Sequence, residues 1–332
     1  MLIGGESLGY AAATVAAMLW AAATMLYGRA GRVLPPMSLN AVKGVFATTL
    51  FAITLAILGR PGHEELLDLD RWRLWLLAAS GVLGIAVGDS FYFACVNALG
   101  ARRCALLSLL ATPLVVIGGA LVLGESLTPP AWLGAGLTVA GVAWVVAERA
   151  PTRVASSVVQ PAEAAEPARS EVHVDLWVGV VFGLIAALCQ AVGALMNRGA
   201  LADLPAGALD PLTTATWRLG TATLVLLPIV AVIRATSSAS RTRTNASLVL
   251  WATVAAAALM GTYGGIWLQQ VGFTHAPAGP VQTLLSTTPV WVLPLAALSG
   301  ERVTLRAVFG ALVAVAGVAL LVGARAIWTL VG

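Results

Sequence analysis

Ten apolar runs, each about long enough to cross a bilayer as a helix, dominate this chain of 332 residues. They fall at 8–28, 37–58, 72–96, 102–123, 131–147, 175–197, 211–233, 247–270, 278–298 and 304–324. A hydrocarbon core about 30 Å thick needs about 20 apolar residues per helix. Helices are the default, because each closes its own backbone hydrogen bonds where no water can. The alternating ten-residue pattern of a membrane barrel strand is missing from the sequence. The first run follows only Glu6 and is too long for a signal core, so it reads as a retained helix. Composition then excludes other classes. The chain is 59% hydrophobic and 10% charged, against about 45–50% and about 25% for soluble domains. So few charges cannot cover a soluble surface. Disorder needs low hydrophobicity, and nucleic-acid binding needs a clustered basic face. The net charge of +4 is spread instead over many short loops.

The stretch from Glu148 to Val174 is rich in Ala, Pro, Glu, Ser and Arg and reads as a flexible linker. It divides the chain into residues 1–148, a linker at 149–174, and residues 175–326, with five spans on each side. A shift of 176 positions lays Thr112-Pro113 on Thr288-Pro289, Gly124-Glu125 on Gly300-Glu301, and Gly134 on Gly310. Leu109 to Val146 then matches its image at 17 of 38 positions. A shift of 175 sets Lys43 on Arg218, and one of 169 sets Arg29 on Arg198. Five is an odd number, so the second copy must enter the membrane from the opposite side. The expected fold is all-α and integral to the membrane, with ten transmembrane helices as two inverted five-helix repeats. Inverted repeats are a common basis of alternating access in secondary transporters. A duplicated scaffold without transport is the plainer alternative.

The run Ser108-Leu-Leu-Ala-Thr-Pro113, then Gly124-Glu125-Ser-Leu-Thr128, Gly134 and Ala140-Gly141, resembles the signature of an EamA domain. Leu285-Ser-Thr-Thr-Pro289, Gly300-Glu301, Gly310 and Ala316-Gly317 resemble it again. Two such domains in tandem are similar to the ten-helix branch of the drug/metabolite transporter superfamily. The resemblance implies a secondary carrier, in many bacterial members an exporter of amino acids, metabolites or drugs. It also implies a central cavity lined mainly by helices 1, 3, 4, 6, 8 and 9, with helices 5 and 10 peripheral.

Charges inside spans are expensive, each costing roughly 2.5–3.5 kcal/mol on insertion scales. Lys43, Asp89 and Arg218 are the clear cases. Lys43 and Arg218 read either as countercharges for an anionic substrate group or as packing and snorkelling cations. Asp89 has no acidic counterpart, since its image is Gly265 or Ile266. A carboxylate held out of water can take up and release a proton, which makes Asp89 the candidate for proton coupling. The plainer reading is a salt bridge to Lys43, or a cap near a broken helix. On the helices that the resemblance places at the cavity stand Trp20, Tyr92 and Ser108, and in the second half Gln190 and Asn197. Tyr263, Trp267 and Gln270 follow on the eighth span, and Gln282 and Ser286 on the ninth. Together these favour a mixed polar and aromatic substrate site. Each alone reads equally as packing.

Gly84/Gly88 and Gly261/Gly265 are spaced to let helix backbones approach closely. Pro113 and Pro289 are expected to bend helices 4 and 9. Glu125 and Glu301 read as interfacial caps. Catalytic motifs, a P-loop and metal-ligand spacings are absent from the sequence. Cys95, Cys104 and Cys189 form no CxxC pair, and His63, His173 and His275 are isolated. No cofactor, metal or nucleic acid is expected. The expected partners are a small-molecule substrate, the bilayer and protons, for a monomer or homodimer in a bacterial inner membrane. An integral-membrane enzyme on lipid or prenyl substrates would need paired acids or metal ligands at membrane depth. Odd-numbered loops carry 12 arginines, and even-numbered loops with the termini carry 5. That places the termini outside, whereas the resemblance implies cytoplasmic termini.

Overall fold

The computed structural model describes residues 5–59, 63–123, 128–147, 176–201, 204, 209–236, 247–276, 278–300 and 303–331. The linker at 149–174, Glu125 and Glu301 lie outside the described residues. Among the described residues, ten helices are long and apolar enough to cross a membrane. They are α1 (Glu6–Ala30), α2 (Pro36–Ile57), α3 (Arg71–Leu99), α4 (Ala101–Leu121) and α5 (Pro129–Val146) in the first half. The second half has α6 (Leu176–Leu201), α7 (Pro211–Thr236), α8 (Leu248–Gly272), α9 (Val281–Leu298) and α10 (Leu305–Gly323). The described residues contain no strand. The protein is an all-α integral membrane protein.

Local chemistry sets the helix ends. The Asp70 carboxylate accepts from the Arg73 amide at 2.8 Å and opens α3. The Ser247 hydroxyl receives the Leu250 amide and opens α8. Pro36 and Pro129 occupy first-turn positions of α2 and α5, where a missing N–H costs nothing. Gly100, at φ +82°, turns the chain from α3 directly into α4.

Proline breaks α4 and α9, as the sequence leads one to expect, but the breaks precede the prolines. The α4 helix is interrupted at Leu109 and Leu110, and Pro113 lies in the first turn of the piece that resumes at Ala111. The α9 helix is interrupted at Ser286 and Thr287. A proline cannot donate to the carbonyl four residues earlier. For Pro289 that carbonyl is Leu285, and the Thr288 hydroxyl donates to it at 2.7 Å.

A second irregularity was not visible in composition. Within α3, residues Val82–Val87 form a π-helical turn, and within α8 so do Ala258–Gly265. The two turns occupy corresponding places in the two halves. A π turn holds one residue more than an α turn, so it rotates the remainder of the helix by roughly 100°.

The halves meet through small residues. The α5 and α10 helices have a more extensive mutual contact than any other pair described. A Cβ on Gly134 would stand 2.7 Å from the Gly317 oxygen, and one on Gly317 would stand 2.8 Å from the Gly134 oxygen. Gly141 and Gly310 oppose each other in the same way, at 2.7 Å and 3.1 Å. Early residues of α5 thus face late residues of α10, and the two helices run antiparallel. Elsewhere Gly44 of α2 touches Thr223 of α7, and Gly220 touches Thr48. Gly84 of α3 rests against Gly193 of α6, and Gly261 of α8 against Ala23 of α1. Each α3 or α8 helix therefore packs against the first helix of the other half. Outward faces are apolar, with Trp132, Leu133, Leu224, Phe309 and Leu312 exposed where lipid would cover them.

Candidate functional site

Three polar side chains meet where α2, α3 and α6 converge. Lys43 and Asp89 form an ion pair through Asp89 Oδ2. Gln190 Nε2 donates to Asp89 Oδ1 at 2.9 Å. Each carboxylate oxygen thus has a donor, one from each half of the chain. The Lys43 side chain is 4% exposed and that of Asp89 19%, so the pair is sealed on the lysine side and open on the acid side. Lys43 Nζ also lies 5.4 Å from the centre of the Phe93 ring, a cation–π contact.

The π turn of α3 explains this placement. Asp89 is the second residue after it, so the turn sets which way the carboxylate points. The altered register frees carbonyls, and α2 satisfies them. Asn40 Nδ2 donates to the Ile85 oxygen at 2.8 Å and to the Ala86 oxygen at 3.1 Å. It also donates to the Ser90 hydroxyl, which in turn donates to Ala86. Asn40 precedes Lys43 by three residues, so one face of α2 carries both side chains to α3. Sequence reasoning passed over Asn40 and Ser90. Their signal was two polar residues in apolar runs beside two charged ones.

The π turn of α8 is served from α1. The Trp20 indole donates to the Gly261 oxygen at 2.8 Å. The Tyr27 and Thr262 hydroxyls lie 3.2 Å apart. Tyr263, inside the turn, shares a hydrogen bond with Thr54 of α2 at 2.7 Å. Its ring lies 5.1 Å from Phe51 and 5.5 Å, edge-on, from Trp267.

Arg218 comes to the same region from α7. Its backbone lies against Gly81 of α3, where a larger residue would not fit. Its Nε donates to the Ser80 hydroxyl at 2.8 Å. Among the described residues, no carboxylate lies at ion-pairing distance from its guanidinium. Tyr92 lies one turn beyond Asp89, bonds to the Thr24 hydroxyl at 3.0 Å and meets Phe93 edge-on.

The remaining candidates stand apart from the ion pair. The Ser108 and Ser286 hydroxyls turn back onto their own helices, to the Ala105 and Gln282 oxygens. Gln270 and Gln282 are half-buried on α8 and α9. Asn197 is half-buried near the end of α6, and its buried Oδ1 receives no donor. Trp20 and Gln190, at nearly equivalent repeat positions, serve different partners. A separate groove of about 240 Å³ is lined by Arg71, Leu74, Trp75, Ala78 and Trp217. Its largely apolar wall offers little to hold a polar molecule, so the candidate site is the charged cluster. No group of three or more metal-ligating side chains is found among the described residues.

Ten spans with a charged cluster shared by the two halves define a polytopic membrane protein. The chain belongs to the EamA-like transporter family, which matches residues 7–147 and again 177–323. No curated protein matches its sequence. A solved chain titled only as the crystal structure of a protein superposes with a TM-score of 0.62. It is 18% identical, over 97% of this chain and 98% of its own length, and so supports the fold alone.

Proposed function

We propose that this transporter is a secondary active carrier that exports a small polar metabolite, such as an amino acid, across a bacterial inner membrane. The observation that carries the reading is the Asp89 carboxylate, held by Lys43 from its own half and by Gln190 from the other. A charge gripped from both halves couples their relative position to its own state. Taking up a proton would neutralise Asp89 and release Lys43. Moving the halves apart would break the Gln190 bond. Asp89 is therefore our candidate for the proton-coupling residue.

The reciprocal contacts of α5 with α10, and of α2 with α7, support an inverted arrangement of two five-helix repeats. In that arrangement the halves exchange conformations and open the site to one side, then the other. The aromatic groups beside the cluster, Phe93 and Tyr92, would contribute to its walls.

The test is counterflow of labelled amino acids in proteoliposomes, with and without an imposed pH gradient, beside Asp89→Asn. We expect saturable exchange, with accumulation driven by the gradient in the wild type and not in the variant. Equal gradient response in both proteins would remove Asp89 from coupling. Absence of saturable flux for amino acids, nucleosides, sugars and drugs alike would overturn the transport reading.

A further inference from the structure

Each half carries a cation at the equivalent place, but only the first carries an acid at the place of Asp89. Lys43 and Arg218 are repeat images, yet the image of Asp89 is Gly265 or Ile266. In the first half the lysine is neutralised by Asp89. In the second half the place of the acid is taken by Trp20, whose Cδ1 would stand 2.7 Å from a Cβ on Gly265. Arg218 is left without an ion-pairing carboxylate among the described residues. Lys43, Asp89 and Arg218 together leave one net positive charge in the middle of the spans.

A cation without a directly paired acid at that depth is costly to keep and marks a functional site by default. Its orientation is also fixed. The Ser80 hydroxyl gives its hydrogen to the Leu77 oxygen at 2.7 Å, so its oxygen faces Arg218 as an acceptor. This holds Nε and leaves the two terminal amino groups of the guanidinium without a hydrogen-bond partner among the described residues, as an open fork. Such a fork matches a carboxylate or phosphate through two parallel hydrogen bonds. Nη2 lies beside Gly84, at the edge of the contact between α3 of the first half and α6 of the second.

We propose that Arg218 is the docking point for an anionic group of the transported molecule, with Ser80 as the residue that positions it. The substrate class is then a small carboxylate or phosphate, not a neutral or purely cationic compound. This rests on the carrier reading above.

Binding is read separately from flux, by ligand-induced thermal stabilisation of the purified, full-length protein. The probes are small hydroxy acids, each beside its neutral carboxamide, and glycerol 3-phosphate beside glycerol. The expected result is at least one anion that binds about tenfold or more tightly than its neutral twin, the scale of one charge-assisted contact. Arg218→Gln should abolish that preference and Arg218→Lys keep part of it. Ser80→Ala should reduce the ratio of acid to amide affinity, and Ser80→Thr restore it. Whether the phosphate or the carboxylate arm responds decides between the two sources.

The proposal is overturned if no anion surpasses its neutral twin, or if the preference survives in a folded Arg218→Gln protein. Should Arg218→Gln not fold, a full preference in Arg218→Lys with an unchanged ratio in Ser80→Ala overturns it equally. Anion-selective binding that needs Arg218, in a protein that moves nothing, would keep the subsite and sink the carrier reading. Flux without anion preference would do the reverse.

Discussion

Removing the Asp89 carboxylate would leave the Lys43 ammonium buried beside the Phe93 ring with no countercharge. Losing one partner of a buried pair costs about 3–5 kcal/mol, whereas replacing both is often nearly neutral. The opening on the Asp89 side places this pair toward the low end of that range. Asp89→Asn is therefore expected to lower the thermal unfolding midpoint in detergent. The double variant Lys43→Met with Asp89→Asn should recover much of the loss. Strictly additive losses would mean that the two side chains do not depend on each other. The charges were legible in the sequence because a charge in an apolar run is too costly to be incidental, and a Lys43–Asp89 bridge was among the readings open there. The pair's third partner was less legible. Gln190 was visible only as a polar residue near the image of Trp20, and nothing in its spacing tied it to Asp89. Asn40 and Ser80 were missed altogether. A short polar side chain in a span carries no mark of which carbonyl or guanidinium it serves.

The ten helices could be read from length and hydrophobicity alone, since the bilayer fixes both. The prolines at 113 and 289 correctly marked broken helices, with the break displaced toward the carbonyls that lose their donors. The π turns could not be read. They are shifts in hydrogen-bond register, and register depends on what the neighbouring helix offers to the freed carbonyls. Asn40 meets that need in α3 and Trp20 in α8. The glycines spaced by four, Gly84/Gly88 and Gly261/Gly265, by contrast did mark close approach. Gly141 of α5 has no room for a side chain against the α10 backbone, since a Cβ there would lie 2.6 Å from the Ala314 nitrogen. Gly136 on the same helix faces open space. Gly141→Leu is expected to cost about 1–3 kcal/mol through overpacking, seen as a lower unfolding midpoint and poorer yield. Gly136→Leu should leave both unchanged. Equal behaviour of the two variants would mean that the α5–α10 seam does not govern stability.

At the scale of the molecule, α3 and α6 belong to different halves yet touch at Gly84 and Gly193 and again at Gly88 and Cys189. If transport requires the halves to move against each other, fastening them there should stop it. A Cβ on Gly88 would lie 3.2 Å from that of the native Cys189, so a small outward shift reaches the spacing of about 3.5–4.5 Å that a disulfide spans. Gly88→Cys is expected to form this bond under mild oxidation, to arrest counterflow, and to regain it on reduction. Undiminished flux in the cross-linked protein would argue against relative motion of α3 and α6. The reciprocal seams carry one more implication. A contact in which Gly134 meets Gly317 while its image Gly310 meets Gly141 could be assembled from two identical parts laid head to tail. Two copies of the first half would supply that seam, but also two acids and two lysines, each charge cancelled. Two copies of the second half would supply no acid at the place of Asp89. The architecture tolerates duplication, and the site does not. Descent from a single ancestral half would leave its record in the glycines, while selection for cargo would be written in the few positions where the halves have ceased to match.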